Sequence, residues 1–155
     1  MSDRVSASIS IGGVLPASLR DELIALIQLE GLSTDWDGAS FTADQIEPDK
    51  PLDLMAYDVP WGIFNALEQF CVQHCLAYQR NSGACPGSFG AERIVFDGKH
   101  GPVGYDTNDD NVVMISRETI THLGSMEAIA AYFASADITV PPLEFPDCAL
   151  PKSAA

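Results

Sequence analysis

The chain has 155 residues, one domain's worth of sequence, and a chain of that size removes roughly 70% of its extended surface from water on folding, so no covalent staple is required. Hydrophobic residues at 46% and charged residues at 19% exclude a wholly disordered chain. Twenty-two acidic residues against eight basic ones give a formal charge of −14, which repels nucleic-acid phosphates and anionic membranes and argues against both as direct partners.

Val5, Ala7, Ile9 and Ile11 alternate with Ser6, Ser8 and Ser10, which predicts a half-buried strand closed by Gly12-Gly13. Pro16 then opens a helix whose Leu19, Leu23, Leu26 and Ile27 share one face, and Gly31 supplies its C-terminal cap. Residues 32–51 have no periodicity. Structureless connections of that length are uncommon in compact domains and are usually functional or mobile. Leu52, Leu54 and Ala56 resume a strand that stops near Asp58 and Pro60. A second helix is expected from Pro60 or Trp61 to about His74 or Cys75, with Ile63, Phe64, Leu67, Phe70, Cys71 and His74 as its apolar stripe. Leu76, Tyr78 and Arg80 can already belong to the next strand.

After the link from Gly83 to Gly90, Arg93–Phe96, Pro102–Tyr105 and Val112–Ile115 read as three short strands of a meander, because residues 97–101 and 106–111 between them carry strong turn chemistry. Ser116–Leu123 can form a short helical turn, and Met126, Ile129, Ala130 and Phe133 mark a last helix before Asp137. Pro141, Pro142, Pro146 and Pro151 make residues 141–155 an extended or disordered tail, peripheral to a single domain over residues 1–140. Its removal is expected to leave the thermal midpoint nearly unchanged. The element order predicts an α+β fold: a single mixed, largely antiparallel sheet with helices mainly on one face.

Met1-Ser2-Asp3-Arg4 leads directly into the first strand, without the apolar stretch of a secretory signal, and no run approaches the ~18 apolar residues of a membrane span. The expectation is a soluble cytoplasmic protein whose Cys71, Cys75, Cys85 and Cys148 stay reduced. Cys71-x-x-His74-Cys75 and Cys85 are zinc-ligand types, but Cys71 and His74 sit on the stripe with Phe64, Leu67 and Phe70, so core packing is expected and no metal. A nucleophilic Cys–His pair is disfavoured, since helical neighbours point in different directions. Asp106-Thr107-Asn108-Asp109-Asp110 begins like a calcium loop, yet Asn111 stands where that loop needs glycine and Arg117 where it needs glutamate. It reads as a hairpin turn. Gly12-Gly13 is too little for a phosphate turn, and Pro16 removes a donor there. His74, His100 and His122 are scattered, and no phosphate loop, nucleophile elbow or zinc helix occurs, so neither catalytic residues nor a cofactor are predicted.

Charge is the remaining signal. Residues 21–58 hold ten acids and the single base Lys50, and residues 97–147 hold nine acids against Lys99 and Arg117. The longest irregular loop is also the most acidic, and it contains Trp36 and Phe41. Aromatic anchors ringed by carboxylates make a docking surface for a basic protein, with Asp35, Trp36, Asp37, Glu47, Asp49 and Asp53 as one patch and Asp106, Asp109 and Asp110 as a second. The expected function is an acidic, non-catalytic binding protein that blocks the nucleic-acid site of a basic partner by standing in for phosphates. Small inhibitors made by phages and mobile elements act this way; the likeness is one of size and charge. Two alternatives stand beside it. One is a small intracellular enzyme or ligand-binding domain with a site between the sheet and residues 32–51, drawing on Trp36, Tyr57, Trp61 or His100. The other is an accessory or immunity-type protein with an obligate partner. The oligomeric state is left open.

Overall fold

The strand announced by alternating serines becomes the centre of the sheet. A computed structural model gives the placement of residues 3–146. In β1 (Arg4–Val14), Ala7, Ile9 and Ile11 are buried while Ser6, Ser8 and Ser10 face the other way. β1 lies antiparallel between β2 (Leu52–Pro60) and β3 (Ala77–Ser82), and β4 (Glu92–Phe96) and β5 (Val103–Asp106) extend the sheet in the order β2-β1-β3-β4-β5. Register sets Ile9 opposite Leu54 and Arg80, and Ile11 opposite Leu52 and Tyr78. One sheet face therefore carries Leu52, Leu54, Ile9, Ile11, Tyr78, Arg80 and Phe96, since alternate residues of a strand share a side.

That face is closed by α1 (Arg20–Leu29) and α2 (Asn65–Gln73), whose Leu23, Ile27, Leu67, Phe70 and Cys71 join the sheet residues in one core. Among the described residues, the opposite face has a hydrophobic cluster at its β4–β5 corner, where Val95 and Tyr105 meet Ala136 at the end of α4 (Met126–Ala136), with Tyr132 and Ile138 packed alongside. Arg93 rivets this corner. Its guanidinium donates to the Ala136 carbonyl (3.1 Å), to Asp137 Oδ1 (2.9 Å), to Asn81 Oδ1 (3.0 Å) and to the Asn111 carbonyl. The fold is α+β with an antiparallel sheet, as the element order predicts. Among the described residues, no helix is long and apolar enough to cross a membrane.

Five expectations are corrected. Gly12-Gly13 does not close β1, which continues to Val14; Gly12 pairs with Ala77, and a Cβ there would lie 1.6 Å from the Pro141 carbonyl oxygen. The glycine marks a close approach of a distant segment. Pro60 ends β2 instead of opening a helix, and Trp61 and Gly62 both adopt left-handed conformations (φ 58° and 67°), so α2 begins only at Asn65. Val112–Ile115 forms no strand: Val113 makes a lone bridge to Thr107, and Val112 and Met114 are exposed. The chain leaves the sheet there for α3 (Arg117–Leu123), capped by Ser116 Oγ accepting from the Thr119 N–H and by left-handed Gly124. The stripe of α4 is only partly covered, with Met126 at 77% exposure and Ile129 and Phe133 half-buried, because the C-terminal end of the helix is the part that joins the sheet cluster. Finally, residues 141–146 are extended, as their prolines dictate, but they are not peripheral. β6 (Leu143–Glu144) pairs in parallel with Gly13 and Val14, and Leu143 is 3% exposed in the main core. The rest of the tail expectation, residues 147–155 with Cys148 and Pro151, lies outside the described residues.

Candidate docking surfaces

Residues 32–51 are irregular in sequence and fixed in space. Leu32 and Phe41 are buried in the main core, Ser33 and Met55 exchange backbone hydrogen bonds (3.0 and 2.8 Å), and Gln28 Nε2 donates to the Phe41 carbonyl (2.9 Å). Phe41 is thus an inward anchor of the loop rather than a docking aromatic. An apolar residue inside a long polar loop was the available signal. A one-turn 3₁₀ helix at Ala43–Gln45 is held by a capping box with Thr42, and Gln45 Nε2 donates to Thr34 Oγ1 (3.2 Å).

This packing places the acids along the edge strand β2. Asp44, Glu47 and Asp53 line one cavity of about 420 Å³ with Thr34 and Lys50, and Lys50 Nζ pairs with Glu47 at 2.9 Å. Asp49, in a left-handed turn (φ 63°), borders a neighbouring depression beside Arg20, Glu47 and Glu144. Towards the other end of β2, Trp36 is 41% exposed with its ring 4.9 Å from that of Tyr57, flanked in sequence by exposed Asp35 and Asp37. Asp53 and Tyr57 share the outward side of β2, about 13 Å apart at strand spacing. Of the first predicted patch, Asp53 lies on β2, Glu47 shares its cavity and Trp36 stacks on Tyr57, while Asp35 and Asp37 flank Trp36 in sequence and Asp49 borders the neighbouring depression.

The second predicted patch does not extend this surface. β2 and β5 are the two edges of the five-strand order, so Asp106 lies across the whole sheet from Asp53. Asp109 and Asp110 occupy a turn in which Asn108 Oδ1 accepts from the Asp110 and Val112 N–H groups (2.8 and 3.0 Å), leaving their carboxylates in solvent. Asp106 stands opposite Glu92 in register and shares with it a depression walled by Trp61 and Phe89. The residues named for an enzyme or ligand site are likewise dispersed: Trp36 on Tyr57, Trp61 on Phe89, and His100 in an exposed turn with its Nδ1 2.8 Å from Asp97 Oδ2. That hydrogen bond, with the His100 and Lys99 backbone N–H groups, holds the Asp97 carboxyl well below the usual carboxylate range.

Sequence reading missed a buried charge cluster under α2. Arg80 is 2% exposed; its Nε lies 2.6 Å from Glu68 Oε2 at an angle outside hydrogen-bonding range, Nη1 donates to the Gly62 carbonyl (2.7 Å) and Ser82 Oγ (3.0 Å), and Nη2 donates to Glu92 Oε2 (3.3 Å). Glu68 also accepts from the Phe64 N–H (2.8 Å) and the Tyr78 hydroxyl (3.2 Å). Burial pushes the Glu68 carboxyl above its ordinary value despite the opposing pull of Arg80, and burial with the Glu68 charge pushes the Tyr78 hydroxyl up as well. The signal was the phase of β3, which puts Arg80 inward between Tyr78 and Ser82.

The cysteines divide by depth. Cys71 is fully buried, and burial, reinforced by Glu68, pushes its thiol up to about 12, whereas Cys75 is exposed at the helix end and His74 lies against Phe70. Among the described residues no group of three or more His, Cys, Asp or Glu side chains could hold a metal ion. Iodoacetamide at pH 8 should label Cys75 in the native protein and Cys71 only on unfolding, since in the folded chain Cys71 is fully buried and its thiol is held well above the ordinary range. Peptide mapping after timed alkylation checks this.

No family model, curated protein or solved structure matches this chain. The surface chemistry is then the guide to function. Of the eight basic residues, Arg80 and Arg93 are buried in internal contacts and Lys50 is paired with Glu47. Arg4 Nη1 donates to the Asp58 carbonyl, and the Arg20 guanidinium lies over Phe145 at 5.4 Å. Folding buries two basic residues, Arg80 and Arg93, against one acid, Glu68, so most of the acids stay at the surface.

Proposed function

We propose that this protein is a non-catalytic binding module that docks on a Lys/Arg-lined surface of another protein, using residues 32–51 and the β2 edge, and that the surface it covers is one that ordinarily holds nucleic-acid phosphates. The observation that carries the reading is the exposure of Asp35, Asp37, Glu47, Asp49 and Asp53 on residues 32–51 and β2, while two basic residues, Arg80 and Arg93, are buried against one acid, Glu68. A loop pinned by Leu32, Phe41 and the Ser33–Met55 bridge presents its carboxylates without an ordering cost on binding, which favours affinity. The half-exposed Trp36–Tyr57 pair supplies an apolar anchor at the end of the acidic strip.

The test uses a partner recovered by pull-down at low salt and then purified. Association should slow about tenfold or more between ~50 and ~200 mM salt, because charges separated by about a Debye length are progressively screened. Asp35→Asn, Asp37→Asn, Glu47→Gln and Asp49→Asn together should slow association and leave folding intact; Asn is well tolerated at the left-handed positions 37 and 49. Trp36→Ala should act mainly on dissociation. Nucleic acid bound by the partner should compete with the protein. A partner that binds the quadruple variant as fast as the parent, with no salt dependence, would overturn the reading.

A further inference from the structure

We propose that the depression between Trp61, Phe89, Glu92 and Asp106 receives one arginine side chain of the basic partner. This rests on the reading that the protein docks on basic surfaces, and it assigns one residue of that surface. The cavity measures about 360 Å³ and is also lined by Ile63, Ser88 and Gly90. Trp61 and Phe89 both line it, their rings 5.7 Å apart and tilted by 43°, and Trp61 is 50% exposed, so part of the indole is open to a ligand. Glu92 and Asp106 line it as directly opposed residues of β4 and β5.

The Trp61 turn and Glu92 are both held by the buried guanidinium of Arg80. Its Nη1 holds the Gly62 carbonyl of the Trp61-Gly62 turn and its Nη2 holds Glu92 Oε2. A Cβ at Gly62 would lie 2.7 Å from the Ser82 Cβ and 2.9 Å from Val5 Cγ2, so the turn seats flush on the sheet and carries Trp61 at a set angle. Phe89 is fixed by the Cys85–Phe89 bridge, with N–H to carbonyl distances of 2.9 and 3.0 Å.

Charge decides the occupant. The cluster behind and around the cavity holds Glu68, Glu92 and Asp106 against Arg80 alone. Arg80 is shared between Glu68 and Glu92, and Asp106 has no ion pair among the described residues, so the cavity keeps a negative excess. Three acids against one arginine leave two negative charges, and a second cation offsets one of them. Arginine suits the shape better than lysine: a planar guanidinium lies against an indole face while its edge donates to two carboxylates at once, whereas an ammonium is a strongly hydrated point charge.

Trp36 and Trp61 are the two tryptophans of the chain, so Trp36→Phe leaves Trp61 as the sole indole reporter. The probe is the acetylated, amidated peptide Gly-Ser-Arg-Ser-Gly, compared with its citrulline and lysine counterparts at low salt. The arginine peptide should change Trp61 emission saturably in the millimolar range, and citrulline or lysine should bind about fivefold more weakly or worse. Asp106→Asn, at an exposed position, should weaken arginine binding about fivefold with an unchanged melt, and Phe89→Ala should abolish saturation. No saturable response by about 20 mM peptide, or equal responses to arginine and citrulline, overturns the slot. If the purified partner binds with steep salt dependence while Trp61 stays silent and Asp106→Asn binds like the parent, the slot is wrong and the acidic-docking reading stands. If the peptide perturbs Trp61 but no partner shows salt-dependent association, the slot stands and the reading of the β2 edge falls.

Discussion

Arg80→Met is expected to lower the unfolding free energy by about 3–5 kcal/mol, because it leaves the Glu68 carboxylate buried without its cation. The methionine roughly fills the space of the arginine stem, so the loss is electrostatic and polar rather than a cavity effect. It includes the hydrogen bonds that Arg80 gives to the Gly62 carbonyl, Ser82 and Glu92. Exchanging both partners, Glu68→Gln with Arg80→Met, should recover more than half of the deficit, since the amide oxygen can still accept from the Phe64 N–H while its NH2 donates to the Tyr78 hydroxyl, and no buried charge remains. The pH dependence has a definite sign. Burial already holds the Glu68 carboxyl above its ordinary value, and removal of Arg80 raises it further. A carboxyl that binds its proton more tightly folded than unfolded loses stability as pH climbs through the folded pKa and keeps it below the unfolded value. The Arg80→Met deficit should therefore be largest near neutrality and shrink towards about pH 4. Urea unfolding of the three proteins at both pH values checks the set. A deficit that grows on acidification would mean that Glu68 is ionised and stabilising without Arg80.

Local signals in the sequence were read correctly wherever the structure is decided locally. The alternation around Ser6, Ser8 and Ser10 marks β1, the stripe from Leu19 to Ile27 with Gly31 marks α1, and the short helical turn expected over Ser116–Leu123 is α3. The misreadings share another cause. Gly12-Gly13 resembles a strand stop until Pro141 is known to pass against it, and Trp61 resembles a helix start until its left-handed backbone is seen. Val112–Ile115 has strand propensity but finds no neighbouring strand, which propensity alone cannot reveal. The same division holds for the surface. The acidity of residues 32–51 is a property of composition, whereas the burial of Phe41 and the separation of Asp53 from Asp106 by the width of the sheet follow from strand order. Glu68 and Arg80 stand twelve positions apart, and only the packing of α2 over β3 turns them into a pair.

Ending the chain at Val140 is expected to destabilise it by about 2–5 kcal/mol relative to a chain ending at Pro146, the reverse of what its proline content implies. Three backbone hydrogen bonds tie this segment down: Gly13 N–H to the Pro142 carbonyl (3.0 Å), Leu15 N–H to the Glu144 carbonyl (2.9 Å) and Leu143 N–H to the Lys50 carbonyl (3.1 Å). Leu143 fills the core beside Leu15 and Leu52, and Phe145 packs against the same cluster. Losing a buried leucine alone accounts for about 2 kcal/mol or more, while the freed backbone entropy offsets part of the hydrogen-bond loss. Gly12 reads the same contact from the other side. In Gly12→Ala the new methyl would sit 1.6 Å from the Pro141 oxygen and 2.9 Å from Val140 Cγ1, so the segment must move away and release its hydrogen bonds. The two changes should then be strongly non-additive: Gly12→Ala destabilises the chain ending at Pro146 by nearly as much as truncation does, and has much less effect once residues 141–146 are gone. Urea unfolding of the four proteins closes the cycle. Equal midpoints for the chains ending at 140 and 146 would show that residues 141–146 contribute nothing to the fold, and a Gly12→Ala cost unchanged by truncation would place its clash elsewhere.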